Sequence, residues 1–322
     1  MQYVHGMHHI TAISGDPQEN LAFYQGVLGM RLVKRSINQD APDTYHLFFA
    51  DGEGHPGTDI TFFPWPRMGP GRSGAGNWGE VALTIPRGSI GYWKQRLEHF
   101  SVQSGEPETR FGEQVLPFTD PHGMRLALLE SDVYSGFEFT PWTDSPVPET
   151  HQIRGLGGVR MITRDGDATR RFFEHALGFQ PAGEENGWQR YVVGEGAAGQ
   201  RFDVFHDPDA RRASWGVGSV HHVAWRSEDR EELEGFRTAI ADAGGQPTDH
   251  IDRFWFVSVY VREPGGALCE IATNGPGFAV DEPVESLGQR LVLPSWYEPH
   301  RDEIEAGLPQ LSEIETKDFR LA

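Results

Sequence analysis

SVHHVAW, residues 219–225, and GALCEIA, residues 266–272, are the two stretches that decide the fold. Both are short and rich in β-branched and apolar residues, with glycine at their borders, which predicts buried strands. Between them, apolar residues recur at helical spacing from Ser227, the predicted N-cap, to Ala243, and two glycines follow. The unit is therefore predicted to be β-α-β-β-β, with two histidines and a glutamate inside its strands.

Strand alternation indicates which of these polar side chains share a face. His222 shares a face with the small Ala224, whereas His221 lies with bulkier apolar neighbours, so His222 is the better ligand candidate. Glu270 lies within an otherwise apolar strand, and a buried carboxylate is costly unless it is paired or binds a metal. Cys269 points to the opposite face and is expected in the core.

The N-terminal stretch GMHHITA, residues 6–12, repeats the double histidine of this unit. By the same alternation His9 shares a face with Thr11, and His8 lies on the other face. A capped helix is predicted to follow and to end at Gly29. Two matching strands indicate two matching modules.

Four such units follow one another along the chain, which predicts an α+β fold of four βαβββ modules. They span residues 7–64, 78–131, 155–206 and 218–273. A segment rich in proline and acidic residues, 140–151, predicts the boundary between two halves. The expected domains are 1–139 and 154–274, joined by a linker at 140–153. Residues 275–322 are expected to form a tail that packs on the body.

The composition, 38% apolar and 23% charged in 322 residues, is that of a soluble globular protein. No run approaches the ~18 apolar residues of a membrane helix, the N-terminus lacks a cationic-then-apolar signal, and the single cysteine excludes internal disulfides. A cytoplasmic protein that does not bind membranes is expected. The net charge of −19 argues against a nucleic-acid partner, because phosphate binding relies on clustered Lys and Arg. The acidic, lysine-poor surface fits either a saline habitat or a GC-rich genome.

Two glycine-rich stretches, residues 69–74 and 194–199, match the spacing of a dinucleotide-binding loop. Each leads into a predicted strand, whereas such a loop needs a helix N-terminus against the phosphates, so neither is expected to bind a dinucleotide. Six further histidines are expected at the surface or in turns: His46, His55, His99, His122, His175 and His206.

With histidines in the first strands of the outer modules and a glutamate in the last strand, the chain resembles the vicinal oxygen chelate superfamily. Within it, the chain is most similar to the ring-cleaving, hydroquinone-type dioxygenases, over nearly its whole length. The matching residues are His8 to Ala12, Phe23 to Lys34, Gly57 to Pro64, His221 to Ala224, Arg253, Tyr260, Glu270 to Ala272, Leu293 to Pro294 and Tyr297 to Pro299. The resemblance implies modules paired into two domains, with curved mixed sheets enclosing a metal cup.

The resemblance also implies that His9, His222 and Glu270 bind the metal, and alternation favours the same three residues independently. Fe(II) is the expected metal, with Mn(II) as an alternative. Two imidazoles and one carboxylate leave adjacent positions open on such an ion, enough for a phenolate oxygen and O₂ together.

Further pocket roles are implied for His8, Thr11, His221, Arg253 and Tyr260. His8 or His221 and Tyr260 have side chains suited to proton transfer, and Arg253 suits an anionic oxygen. By strict alternation His8 and His221 point away from the metal, so they reach it only if the strand starts are curved or bulged.

The expected function is Fe(II)-dependent cleavage of a dihydroxylated aromatic ring, a hydroquinone or a catechol, with both atoms of O₂ incorporated, in a homo-oligomer that serves aromatic compound catabolism. Two alternatives stay open. A glyoxalase-like lyase or isomerase needs a fourth protein ligand, for which Asp59 is the nearby candidate. A metal-free small-molecule-binding protein has no reason to keep two histidines and a glutamate matched across modules.

Overall fold

The computed structural model describes residues 2–133 and 139–321 and contains the four predicted modules. The first comprises β1 (Met7–Ser14), α1 (Pro17–Leu21, continued by a π-helix over Ala22–Val27), β2 (Arg31–Asn38), β3 (Ala41–Ala50) and β4 (Asp59–Pro64). The second comprises β5 (Trp78–Ile85), α2 (Ile90–His99), β6 (Glu108–Arg110), β7 (Glu113–Thr119) and β8 (Arg125–Glu130).

The third and fourth modules repeat the order of elements. The third comprises β9 (Gly155–Thr163), α3 (Gly166–Leu177), β10 (Gln180–Glu185), β11 (Trp188–Val192) and β12 (Arg201–His206). The fourth comprises β13 (Ser219–Ser227), α4 (Arg230–Asp242), β14 (Ile251–Asp252), β15 (Val257–Arg262) and β16 (Leu268–Thr273). The tail contains α5 (Arg301–Gly307), and short 3-10 turns lie at Glu149–His151, Phe278–Val280, Val284–Ser286, Glu298–His300 and Thr316–Phe319.

Three of the helices begin where an aspartate side chain caps free backbone N–H groups. Asp16 accepts hydrogen bonds at the start of α1, Asp165 at the start of α3 and Asp229 at the start of α4. The predicted serine cap of α4 is therefore wrong. Ser227 still belongs to β13, where its hydroxyl donates to a backbone carbonyl of β16.

The sixteen strands form two curved, mixed eight-stranded sheets, as the predicted fold class requires. The first has the order β14-β15-β16-β13-β1-β4-β3-β2, and the second has the order β10-β11-β12-β9-β5-β8-β7-β6. Module one thus pairs with module four, and module two pairs with module three. Each sheet draws strands from both expected domains, and the boundaries of those domains stay a prediction.

Each sheet has a central antiparallel strand pair with two β-bulges in equivalent places. In the first sheet the register shifts leave His8 and His221 as the extra residues, and in the second sheet they leave Gly79 and Gly157. A bulge sets two residues opposite one and redirects the side chain of the extra residue. Strict alternation therefore fails at the two double histidines.

The two sheets are joined by one hydrophobic core that draws buried residues from all four modules. Polar contacts support the junction: the indole N–H of Trp78 donates to Leu268 O at 2.9 Å, and the side-chain amide of Asn77 donates to Val220 O at 2.9 Å. The two sheets therefore pack against each other through a shared core. Across the described residues, every helix is too short or too polar to cross a bilayer.

Candidate metal centre

Three buried side chains converge at the centre of the first sheet: His9 in β1, His222 in β13 and Glu270 in β16. The Nε2 atoms of the two histidines are 3.3 Å apart, and Glu270 Oε2 lies 2.8 Å from His222 Nε2 and 3.4 Å from His9 Nε2. Within the described residues, this is the only group of three or more His, Cys, Asp or Glu side chains whose ligand atoms all lie within 4.8 Å of one another. It consists of the three residues expected as ligands.

The donor set fits a divalent metal ion. Glu270 Oε1 accepts a hydrogen bond from Ser258, but Oε2 is buried and makes no hydrogen bond of good geometry. An orphaned carboxylate oxygen in a dry interior is costly unless a cation shares it. Burial alone would raise the pKa of Glu270, yet the neighbouring imidazoles of His9 and His222 hold the pKa well below its usual range. The carboxylate is therefore ionised and can act as a ligand.

Both extra histidines of the bulges turn toward the histidine that follows them. His8 Nδ1 lies 2.9 Å from His9 Nδ1, and His221 Nδ1 lies 2.8 Å from His222 Nδ1. Burial, reinforced by His9, lowers the pKa of His8 to about 3. Burial, reinforced by His222, likewise lowers the pKa of His221 to about 3. Both rings are therefore neutral at neutral pH, and each can accept a hydrogen bond from its partner.

The backbone fixes the tautomers of the first pair. His8 Nε2 lies 3.1 Å from the carbonyl oxygen of Thr273, which can only accept, so this nitrogen carries the proton. His8 Nδ1 is then an acceptor, and the Nδ1–H of His9 donates a hydrogen bond to it. The lone pair of His9 is left on Nε2, the nitrogen that faces His222 and Glu270. Metal-binding histidines are commonly oriented by a partner at the second nitrogen in this way.

A cavity of about 270 Å³ borders the metal group at His9 and His222. Its walls are mostly aromatic, and the lining residues are His9, Asn38, Gln39, Asp40, Ala41, His46, Phe48, Phe63, Trp65, His221, His222, Arg253, Trp255, Phe256 and Tyr260. His221, Arg253 and Tyr260, which were expected in the pocket, line the cavity. His8 and Thr11 are buried outside this lining.

Tyr260 and Arg253 form the wall beside Glu270. Tyr260 is the cross-strand partner of Glu270, and its ring meets that of His222 edge-on with centroids 5.7 Å apart. Its hydroxyl oxygen accepts a hydrogen bond from Arg253 Nε at 3.1 Å, and the two terminal nitrogens of Arg253 bind the carboxylate of Asp40 at 3.3 and 3.0 Å. Burial, together with the charge of Glu270, raises the pKa of Tyr260. The phenol is therefore a proton donor rather than a base at neutral pH.

A pseudo-twofold axis through the central strand pair exchanges His9 with His222. By the same register, Glu270 on β16 and Thr61 on β4 occupy equivalent places. A hydroxyl thus stands where a symmetric four-ligand site would have a second carboxylate. Asp59, the candidate fourth ligand of the isomerase alternative, lies outside the metal group found among the described residues, and burial raises its pKa well above the usual range.

His46 was expected at the surface or in a turn, and this expectation is wrong because it lines the cavity from β3. Its Nε2 lies 2.8 Å from the hydroxyl of Thr61. In β3, His46 lies on the same face as Phe48, and Tyr45 and Leu47 lie on the opposite face. The strand pattern itself therefore indicated that His46 belongs to a strand rather than to a turn. Sequence alone could not show that this face of β3 lines the cup, because β4 separates β3 from β1, the nearer of the two histidine strands.

Fold and site together define the class. The chain belongs to the Glyoxalase/Bleomycin resistance protein/Dioxygenase superfamily, which it matches over residues 6–128 and 155–271.

Individual relatives are similar over nearly the full length. The chain is 44% identical over 303 residues to "Putative ring-cleaving dioxygenase MhqO" of Bacillus subtilis (strain 168), covering 94% of this chain and 95% of the relative. It is 33% identical over 307 residues to the chlorohydroquinone/hydroquinone 1,2-dioxygenase of Sphingobium indicum (strain DSM 16413), covering 94% and 95%. A crystal structure of a "putative dioxygenase" from Bacillus subtilis subsp. subtilis str. 168 superposes with a TM-score of 0.92 at 42% identity, covering 97% of this chain and 99% of that chain.

Proposed function

We propose that this chain is a ring-cleaving dioxygenase that opens a dihydroxylated aromatic ring with O₂. The observation that carries the proposal is the group of His9, His222 and Glu270 at the floor of an aromatic-walled cavity, with Thr61 in the equivalent fourth place. A site with three protein ligands leaves room for two reactants, whereas a closed four-ligand site does not. The names of the relatives support the same activity.

Fe(II) is the proposed metal, with Mn(II) as the alternative, and His9, His222 and Glu270 would hold it. When bound, such an ion brings a phenolate oxygen and O₂ together and passes electrons from the ring to O₂. Two neutral nitrogens and one carboxylate oxygen suit both metals, so the choice between them rests on experiment.

The surrounding residues prepare the reactants. His8 and His221 hold the ligand imidazoles in the tautomer that frees Nε2 for the metal. Tyr260 keeps its proton and can donate a hydrogen bond or a proton to an oxygen beside Glu270, and Arg253 fixes the position of that hydroxyl. Thr11, which hydrogen-bonds Thr61 at 2.8 Å behind the wall, is assigned a positioning role.

The proposed substrate is a hydroquinone in preference to a catechol. With a para-diol, only one oxygen needs to reach the metal, and the other hydroxyl must be received by a polar group of the cavity wall. One relative is named for chlorohydroquinone and hydroquinone, which supports this choice. A cytoplasmic location and a homo-oligomeric state remain predictions.

Oxygen uptake tests the proposal. Protein loaded anaerobically with Fe(II), Mn(II) or Zn(II) is mixed with hydroquinones and catechols, and ring-opened products are identified by mass spectrometry. We expect uptake with Fe(II), or with Mn(II), and fastest turnover with a hydroquinone. Catechol turnover above that of every hydroquinone would overturn the substrate assignment. Full activity with zinc in the absence of oxygen would indicate an isomerase instead.

A further inference from the structure

The cavity wall opposite Tyr260 is formed by β3, where His46 lies between aromatic rings. The imidazole centroid is 3.8 Å from that of Phe48 and 4.5 Å from that of Phe63. Tyr260 lies on β15 next to β16, whereas His46 lies on β3 next to β4, so the two residues lie on opposite flanks of the central strand pair and line the same cavity. His46 is not one of the ligands and has no part in the mechanism described above.

His46 is held by a short hydrogen-bond chain. Its Nε2 lies 2.8 Å from Thr61 Oγ1, and Thr61 Oγ1 lies 2.8 Å from Thr11 Oγ1. Both threonines are fully buried, so the chain is sealed from water. This contact fixes one edge of the imidazole and leaves the opposite ring nitrogen, Nδ1, toward the cavity.

Nδ1 of His46 is available for a ligand. Within residues 2–133 and 139–321 it makes no hydrogen bond, and it is not among the fully buried polar atoms. On the opposite wall, the guanidinium of Arg253 is already engaged by Tyr260 and Asp40. Burial, with nearby His9 and His222, lowers the pKa of His46 well below its usual value. A neutral imidazole suits an uncharged phenol hydroxyl better than a carboxylate.

We propose that His46 binds the second hydroxyl of a dihydroxybenzene, the one that does not go to the metal. Its Nε2–H donates to Thr61, and its Nδ1 accepts the hydrogen bond from the substrate hydroxyl. Thr61 is a positioning residue that holds the imidazole in this orientation, and Thr11 supports Thr61. This inference rests on the proposed function and adds the residue that selects a diol over a simple phenol.

Hydroquinone and phenol form a matched pair of probes, because phenol lacks only the second hydroxyl. Anaerobic, Fe(II)-loaded protein is titrated with each compound, and binding is followed by quenching of tryptophan fluorescence. The wild type should bind hydroquinone about three- to tenfold more tightly than phenol, the range for one net hydrogen bond. His46→Phe keeps the aromatic packing and should lose this preference, while its phenol affinity stays near that of the wild type.

Thr61 variants provide the second arm, which holds even if His46→Phe does not fold. Thr61→Val should reduce the preference for hydroquinone. Thr61→Ser, which keeps the hydroxyl, should retain the preference, and the iron content should be unchanged in both variants. Equal weakening of both compounds in His46→Phe, or a wild type without preference, would overturn the inference. Preference without oxygen uptake on any dihydroxybenzene would keep the role of His46 and refute the proposed function.

Discussion

At the level of single residues, the two neighbours in each double histidine have different roles. His9 and His222 present Nε2 to the metal group, and His8 and His221 bind the other ring nitrogen. The carbonyl of Thr273 completes the first pair, because it determines which nitrogen of His8 carries the proton. The contact with the following histidine thus accounts for the first histidine of each pair, and His221 also lines the cavity.

Replacing His8 by Phe keeps a ring beside Phe256 but removes the acceptor for His9. We expect the affinity for Mn(II) to fall by about 10- to 100-fold, the usual cost of losing the outer partner of a metal ligand. Titration followed by the EPR signal of free Mn(II) measures this. His5→Phe, which loses a partly buried contact with Glu232, is the matched control and should leave the affinity unchanged. Equal affinities in the two variants would show that the His8 contact is incidental.

Tyr260→Phe tests the proton donor of the cavity. The variant should retain iron and turn over hydroquinone about ten- to a thousandfold more slowly, the range for losing a positioned acid or one stabilising hydrogen bond. Tyr191→Phe, whose hydroxyl bonds Gln189 in the second sheet, is the control and should be fully active. Unchanged oxygen uptake in Tyr260→Phe would show that Tyr260 contributes only packing.

At the level of elements, the start of β13 depends on Gly218. This residue has φ +82°, and a Cβ there would lie 2.2 Å from the carbonyl oxygen of His122. Gly88 has a similar φ of +79° but open space around it. Gly88→Ala should cost about 1–2 kcal/mol of unfolding free energy from backbone strain alone. Gly218→Ala should cost clearly more and weaken metal binding, because β13 carries His222. Denaturant titration of both variants decides this, and equal losses would contradict it.

The elements also show how far the sequence could lead. Alternation favoured His9, His222 and Glu270, which the structure brings together, because a buried glutamate and small neighbours are local signals. It could not place His8 and His221, because a bulge is a property of the pairing between two strands rather than of either strand. Nor could it reveal His46, since its role depends on the curvature of a sheet and on a strand order that pairs module one with module four. Those long-range contacts are not encoded in any local pattern.

At the level of the whole molecule, the two sheets repeat one arrangement of strands, and within the described residues only the cup of the first sheet contains a group of possible metal ligands. Equivalent registers place Glu80 where the first sheet has His9, Gly158 where it has His222, and Asp203 where it has Glu270. In the second cup, arginines bind these carboxylates, as in the contacts of Arg190 with Asp203 and of Arg110 with Glu80. The space left there is about 30 Å³. The second cup is therefore filled by ion pairs and contributes packing rather than a site.

The tail is tied to the body through Lys34, a fully buried lysine of β2. Its ammonium binds Asp281 and Glu282 and lies 5.4 Å from the ring centroid of Trp255, which lines the cavity. Lys34→Met leaves the buried Glu282 with only a 3.5 Å contact to Arg290 and should cost about 3–5 kcal/mol of stability. Lys94→Met, which breaks an exposed pair with Glu106, should cost less than about 1 kcal/mol. Thermal and denaturant unfolding would reveal the difference, and similar losses would show that the tail is only loosely attached.

We propose that one metal ion, held by His9, His222 and Glu270, is what allows this protein to use oxygen. Oxygen uptake with hydroquinone, measured as Fe(II) is added stepwise to metal-free protein that was prepared anaerobically, tests this most directly. We expect the rate to rise linearly and to reach a plateau at one Fe(II) per chain, and we expect no rise over the same range in Glu270→Ala. Uptake that is independent of added iron, or that persists in Glu270→Ala, would contradict it.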